Sequence, residues 1–144
     1  MSGKTELEKI ALGANIQQRR KPPKESEFVT MVIQRLKRTG GAWEKRHGTA
    51  FGKAGQPDIS GCLYGRRIEI EVKTGKNEPT DIQVQRLAEW SKAGAFCVVL
   101  WNAEPPRAAT IRLMNRISDH GGNIAILYGL NELETCVMDL LKKQ

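Results

Sequence analysis

Hydrophobic and polar residues alternate most clearly over residues 59–73, where the pattern predicts a β-hairpin. The chain has a short apolar run over 59–63, a turn at 64–66, and then alternating apolar and charged residues up to Lys73. Because successive side chains of a strand point to opposite faces, the second strand should have one apolar and one charged face. The charged face consists of Arg67, Glu69, Glu71 and Lys73.

The rest of the chain predicts further helices and strands around this hairpin. Helical spacing of apolar residues predicts helices over 4–18, 26–38, 80–93 and 105–120 and a terminal helix, with Thr5, Ser26, Thr80 and an Asn131–Glu134 capping box at helix starts. Strands are predicted over 42–47, 95–101 and 123–128, and the almost wholly apolar segment 95–101 should be covered on both faces.

These elements predict one α/β domain with a mixed sheet of four or five strands flanked by helices. Strand 42–47, the hairpin and strand 95–101 should form the centre of the sheet. A basic segment with two prolines precedes residue 25, and proline interrupts helices. We therefore expect residues 1–24 to form a helix and a basic linker, and residues 25–144 to form the globular domain.

Composition limits the kind of protein. The 144 residues suit a single domain, and a net charge of +7 with a pI near 9.5 favours a polyanionic partner. The three cysteines are far apart, which is typical of free thiols in a reducing compartment. No secretory leader and no apolar stretch of about 18 residues is present, so the sequence predicts a cytoplasmic protein without a membrane span.

The hairpin carries the residues of a known motif. Asp58, preceded by Pro57 and followed across the hairpin by Glu71-Val72-Lys73, resembles the PD-(D/E)XK nuclease signature. Flanking residues extend the likeness: Lys45-Arg46-His47-Gly48, Ala54-Gly55-Gln56-Pro57, Thr80, Gln83 and Ala93-Gly94. Together they resemble the VRR-Nuc family, small nucleases common in phages and prophages, over residues 25–101. The resemblance implies a restriction-endonuclease-like fold, which agrees with the α/β pattern.

This resemblance implies a metal-dependent nuclease centre. Asp58 and Glu71, with the backbone carbonyl of Val72 and waters, are expected to bind Mg²⁺ or Mn²⁺, because hard divalent cations prefer oxygen ligands. Such a cation polarises the scissile phosphate and lowers the pKa of a bound water. Lys73 is expected to position that water and to offset charge at the phosphorus.

Two further catalytic residues follow from the resemblance. Members of the family carry a glutamate on the first helix that leans into the metal site, and Glu27, followed by Phe28, aligns best with it. Glu25 is the competing assignment. From position alone, Glu27 is only an acid in a first helical turn, which the helix dipole favours by about 0.3–1 kcal/mol. Gln83 is expected to orient the attacking water or the phosphate.

Basic residues near the motif suggest contacts with nucleic acid. Lys45, Arg46, His47 and Lys53 lie beside Gly48, Gly52 and Gly55, which predict a mobile loop where the backbone could approach a phosphate. His47 is expected to contact DNA and not the metal, since magnesium prefers oxygen. In the linker, Arg19, Arg20 and Lys21 should add contacts with phosphates.

The leading functional hypothesis is a divalent-metal-dependent DNA endonuclease selective for branched DNA such as four-way junctions. The alternatives are a nicking or restriction-like nuclease and a DNA-binding module without catalysis. Resolving a junction requires two paired incisions, so a homodimer is expected. Its candidate surfaces are helix 4–18 and the terminal helix around Val137, Leu140 and Leu141.

Overall fold

The fold is built from five strands and four helices within residues 23–46, 52–120 and 123–142, which are the residues that the structure, a computed structural model, describes. The predicted helix over 4–18 lies outside these ranges. In chain order the elements are α1 (Glu25–Lys37), β1 (Ala42–Lys45), β2 (Ile59–Leu63), β3 (Arg66–Lys73), α2 (Asp81–Lys92), β4 (Phe96–Trp101), α3 (Arg107–His120), β5 (Ile124–Tyr128) and α4 (Gly129–Lys142).

The strands form one mixed sheet in the order β1-β2-β3-β4-β5. The first three strands are antiparallel, whereas β3, β4 and β5 are parallel to one another. The central strand is therefore β3, which carries the charged alternation. Strand β4 is buried over 97–101, as the apolar run predicted. The first strand was expected at the centre, but it lies at an edge, where its exposed charged residues are solvated.

Helices cover both faces of the sheet. On one face α1 and α4 form a core with the apolar residues of β3, namely Ile68, Ile70 and Val72. On the other face α2 and α3 form a second core with Cys97, Val99 and Trp101 of β4. The charged residues Glu69, Glu71 and Lys73 pair in register with those three and so lie on the second face. This arrangement confirms the predicted α/β class and is consistent with a restriction-endonuclease-like fold.

The hairpin between β2 and β3 is tighter than predicted. Its loop consists of Tyr64 and Gly65, with φ angles of 48° and 83°, and Arg66 already pairs with Leu63 in the ladder. Two residues with positive φ are typical of a type I′ turn, whose twist matches that of the flanking strands. The turn holds β2 and β3 in register, and that register places Asp58 beside Glu71.

Two predicted helix starts are wrong. Ser26 is not an N-cap: α1 already begins at Glu25, after Lys24, which makes no side-chain capping bond. The Asn131–Glu134 capping box is also absent, because α4 starts at Gly129, whose φ of 82° turns the chain directly out of β5. Both polar side chains instead accept hydrogen bonds from Arg35 of α1, at 2.9 and 3.0 Å.

The apolar side of α4 faces the monomer's own core. Leu133 and Val137 are 0 % exposed, and Leu140 packs against the same core. Val137 is therefore not available to a partner subunit, and the side chain of Leu141 lies outside the described part of the structure. The homodimer stays a prediction without this surface. None of the helices in the described ranges is both long and apolar enough to cross a membrane.

Candidate metal centre

Three carboxylates converge at the end of β3. Asp58 immediately precedes β2, and the antiparallel register, in which Ile59 pairs with Ile70, brings it beside Glu71. Glu25, the first residue of α1, approaches from the helix that covers this end of the sheet. One carboxylate oxygen of each residue lies within 4.8 Å of the others. One hairpin and a helix that precedes it in the chain thus supply one acidic cluster.

The first-helix acid in this cluster is Glu25 and not Glu27, so the preferred placement was wrong. A helix turns by about 100° per residue, which directs side chains two positions apart to nearly opposite sides. Glu27 is exposed, whereas Glu25 lies one turn before Phe28 and Val29 on the buried side of α1. Extending the apolar stripe of α1 backwards by one turn would have selected Glu25 from the sequence alone.

Glu71 is the most deeply buried acid of the cluster. It is 1 % exposed, and neither of its carboxylate oxygens has a hydrogen-bond partner among the described residues. Burial, together with the nearby Asp58, raises the pKa of Glu71 to about 9, although Lys73 opposes the shift. The pKa of Glu25 is also raised, by burial and to a lesser degree by Asp58, with Lys73 again acting in the other direction.

Lys73 and Asp58 are held close to this buried acid. The Nζ atom of Lys73 lies 3.6 Å from Oε1 of Glu71, which is an ion pair but too long for a hydrogen bond. The backbone N–H of Val72 donates to Oδ2 of Asp58 at 2.8 Å. The main chain of Val72 therefore reaches the cluster, and the use of its carbonyl as a metal ligand stays a prediction.

Glu69 lies on the same face of β3 as Glu71 but has different surroundings. Arg46 Nη1 lies 2.5 Å from its Oε1, and Arg67 Nε lies 2.9 Å from its Oε2. Ser60 also donates to Oε2, at 2.6 Å. Both guanidinium groups lie over the ring of Trp90, at 5.2 and 4.9 Å from its centroid. Two cations and a hydroxyl thus engage Glu69, which lies outside the acidic cluster.

The residues present fit a hard divalent cation. Carboxylate oxygens are the ligands that Mg²⁺ and Mn²⁺ prefer, and three of them meet within one ion's reach. Neither oxygen of Glu71 accepts a hydrogen bond from the described residues, which strengthens this assignment, because a buried polar atom without a hydrogen bond is costly. A cation bound by these oxygens would relieve both the desolvation of Glu71 and its repulsion from Asp58 and Glu25.

Gln83 lies at the start of α2 and caps that helix. Its side-chain oxygen accepts a hydrogen bond from the N–H of Thr80 at 2.9 Å, and its own N–H donates to the Thr80 hydroxyl at 3.3 Å. This reciprocal capping box satisfies two backbone donors that the helix itself leaves free. The sequence had identified Thr80 as the cap, and the contribution of Gln83 to catalysis stays a prediction.

The predicted DNA-contacting residues have different environments. Lys45 and Lys53 are exposed, whereas Arg46 is engaged in the ion pair with Glu69. The remaining predicted contacts, His47, Arg19, Arg20 and Lys21, lie outside the described residues. The exposed lysines are therefore free to meet a phosphate, and Arg46 has an internal role that the sequence did not indicate.

Part of the glycine-rich loop is packed and not freely mobile. Gly55 has a φ of 79°, and a Cβ atom there would lie 2.9 Å from the side chain of Ile82. Arg86 of α2 donates to the carbonyl of Ala54 at 3.1 Å. The expected mobile loop therefore docks on α2 at these two residues, which lie shortly before Asp58 in the chain. A glycine is required at position 55 because α2 approaches the backbone so closely.

No family model and no curated protein matches this chain. One solved structure that is similar is SfsA from Pyrococcus furiosus in complex with Ca²⁺. The identity is 12 % and the TM-score is 0.44, over 71 % of this chain and 55 % of SfsA, so the chain spans about half the length of that protein. A similarity of this degree assigns no activity, and membership of the VRR-Nuc family stays a prediction from the motif residues.

Proposed function

We propose that this protein is a divalent-metal-dependent DNA endonuclease. The observation that supports this most directly is the convergence of Glu25, Asp58 and Glu71 within 4.8 Å, next to Lys73. Of these acids Glu71 is deeply buried and accepts no hydrogen bond from the described residues, which is costly in a purely structural role. A cation site gives this acid a function, and the lysine beside it fits the chemistry of phosphodiester hydrolysis.

Each residue of the cluster has a separate role in this proposal. Asp58 and Glu71 hold Mg²⁺ or Mn²⁺, and Glu25 supplies a third oxygen from α1. The bound cation would polarise the scissile phosphate and lower the pKa of a coordinated water. Lys73 orients the attacking water and offsets the negative charge that develops on the phosphate oxygens. The buried position of Glu71 keeps bulk water away from its side of the cluster.

DNA is the proposed substrate because the chain is strongly basic. A net charge of +7 attracts a polyanion, and the exposed Lys45 and Lys53 flank the segment that leads to Asp58. The preference for branched DNA such as a four-way junction follows from the resemblance to VRR-Nuc proteins. A nicking or restriction-like nuclease and a DNA-binding module without catalysis are the competing functions.

A cleavage assay separates these functions. Labelled four-way junction, flap and linear duplex are incubated with the full chain in Mg²⁺, in Mn²⁺ and in EDTA. We expect metal-dependent cleavage, fastest on the junction, that is lost in Glu71→Gln and retained in Glu27→Gln, a matched change at an exposed acid. Junction binding without cleavage in either metal would favour the binding module, and equal nicking of all three substrates would contradict the branched-DNA preference.

We also propose that a homodimer makes the paired incisions of junction cleavage. Strand β5, at an edge of the sheet, consists of Ile124–Tyr128 and has no charged residue, whereas β1 at the opposite edge carries Glu44 and Lys45. Charged residues protect free sheet edges from pairing, so β5 is the edge better suited to a second copy. Light scattering should give twice 16.1 kDa, and a monomer that nicks only one strand would contradict this arrangement.

A further inference from the structure

We propose that Arg46 is a positioning residue that fixes Asp58 in the orientation required for metal binding. This inference rests on the proposed metal-dependent function and assigns a role to a residue that the motif does not include. Arg46 has the sequence context of a DNA contact, yet its side chain is only 24 % exposed and forms the ion pair with the buried Glu69. The contacts of Arg46 with the backbone of Pro57 and Asp58 carry the argument.

Arg46 binds the chain on both sides of the Asp58 Cα atom. Its backbone N–H donates to the carbonyl of Asp58 at 2.8 Å, and its Nη1 donates to the carbonyl of Pro57 at 3.0 Å. These two carbonyls flank Asp58, so the bonds restrict rotation of the backbone that carries its carboxylate. The N–H of Val72 fixes the carboxylate itself at 2.8 Å. The orientation of Asp58 is thus determined by bonds at three points.

The guanidinium of Arg46 is itself held from two directions. Glu69 is 0 % exposed, lies 2.5 Å from Nη1, and is oriented in turn by Ser60. The ring of Trp90 lies 5.2 Å from the guanidinium carbon, and its indole N–H donates to Gln56 at 2.8 Å. A buried carboxylate that loses its cation is strongly unfavourable, so this pair resists opening. Glu69 and Trp90 therefore act on Asp58 through Arg46.

Arg67 offers a matched control. It pairs with the same carboxylate at 2.9 Å and lies over the same indole ring at 4.9 Å. The hydrogen bonds and ion pairs described for its side chain reach Glu69 only, and none involves the backbone at Pro57 or Asp58. Removing Arg67 tests the loss of a cation from the network, whereas removing the Arg46 side chain also breaks the bond to the Pro57 carbonyl. The backbone bond from residue 46 to the Asp58 carbonyl is retained in every variant.

The experiment measures binding of Mn²⁺ alone to the full-length protein by isothermal titration calorimetry, in the wild type, Arg46→Met, Arg46→Lys and Arg67→Met. Residues that orient metal ligands typically change metal affinity by about 10–100-fold. We expect the Mn²⁺ affinity of Arg46→Met to be lower than that of wild type by about 10–100-fold, and the affinity of Arg67→Met to be within about threefold of wild type. Arg46→Lys keeps the charge but cannot reach Glu69 and Pro57 together, so its affinity should fall between the two.

Circular dichroism establishes which variants fold, and Arg46→Lys carries the test if Arg46→Met does not. Cleavage assayed with increasing Mn²⁺ adds a second readout, because excess metal should restore the turnover of the Arg46 variants. Equal Mn²⁺ affinity in the Arg46 and Arg67 variants would overturn the positioning role while leaving the metal site intact. A wild-type protein that binds no Mn²⁺ would instead refute the metal centre, and this inference with it.

Discussion

Glu69 and Glu71 occupy the same face of β3, two residues apart, and have opposite surroundings. They are 0 % and 1 % exposed, so both lose almost all their hydration on folding. Both oxygens of Glu69 face an arginine, Arg46 or Arg67, at 2.5 and 2.9 Å. Glu71 has Lys73 at 3.6 Å and two further carboxylates within 4.8 Å.

This difference separates a buried acid that is compensated within the protein from one that is not. Burial of a carboxylate costs several kcal/mol unless cations and donors compensate for the lost water, and Glu69 has that compensation within the protein. Glu71 does not, and its pKa is raised to about 9 as a result. A bound cation would compensate Glu71 for the water that it loses on folding. The two glutamates therefore have different expected responses to the same substitution.

The largest contrast is expected in catalysis. Glu71→Gln should lower kcat for DNA cleavage by about 10³-fold or more, because loss of a metal ligand removes several kcal/mol of transition-state stabilisation. Glu69→Gln should lower kcat at saturating Mg²⁺ by less than about tenfold, since it acts on the site through Arg46 and therefore mainly weakens metal binding. Single-turnover cleavage at saturating Mg²⁺ measures both values. Equal losses in the two variants would contradict the division of roles.

Stability without metal should change in opposite directions. At pH 8 with EDTA, Glu71→Gln should raise the free energy of unfolding by about 1–3 kcal/mol. The raised pKa sets the sign: between 4.5 and about 9 the folded state keeps a proton that the unfolded state releases, so stability falls as pH rises. Urea unfolding should show that the gain in the free energy of unfolding of Glu71→Gln over wild type vanishes near pH 4.5 and is largest at pH 8.

The same substitution at Glu69 should destabilise the protein. Glu69→Gln should lower the free energy of unfolding by about 1–3 kcal/mol, because it leaves two cations without their partner. The loss is smaller than for a fully buried pair, since the side chains of Arg46 and Arg67 are 24 % and 47 % exposed and can be rehydrated. If Glu69→Gln were stabilising, Glu69 would resemble Glu71 and the comparison would fail.

The smallest expected difference is in Mn²⁺ affinity, between substitutions of the two glutamates at the start of α1. Glu25→Gln should weaken Mn²⁺ affinity by about tenfold, because Glu25 is only partly buried and is one of three acids in the cluster. Glu27→Gln, two residues away on the exposed side, should leave the affinity unchanged. Calorimetric titration of the two variants in parallel measures the difference. A loss of affinity at Glu27 and none at Glu25 would restore the original assignment.

Local sequence was sufficient for the central hairpin and for β4. Alternation of apolar and charged residues up to Lys73 predicted the two faces of β3, and the apolar run before Trp101 predicted a strand covered on both sides. These predictions succeed because side-chain direction in a strand depends only on the backbone period. The Thr80 cap of α2 was also predictable, since both partners of its capping box lie within four residues of each other in the sequence.

Predictions that depended on contacts between distant segments were less successful. Asn131 and Glu134 have the spacing of a capping box, but Arg35 of α1 engages both side chains. The ion pair of Arg46 with Glu69, at 2.5 Å, was not indicated by the sequence, and the contact of Arg46 with DNA stays a prediction. In each case the competing partner lies more than 20 residues away and leaves no local pattern.

The sequence by itself predicted a hairpin with Asp58 before its first strand and with Glu71 and Lys73 at the end of its second strand. The resemblance to the nuclease motif implied that these three residues form one site. Only the tertiary structure decided the exact register of the hairpin, which the two-residue turn at Tyr64 and Gly65 sets. It also decided which glutamate of β3 is neutralised, because Arg46 and Arg67 pair with Glu69 and not with Glu71. The pairing with Arg46 joins two segments that are far apart in the chain, and such a contact leaves no periodic trace in the sequence.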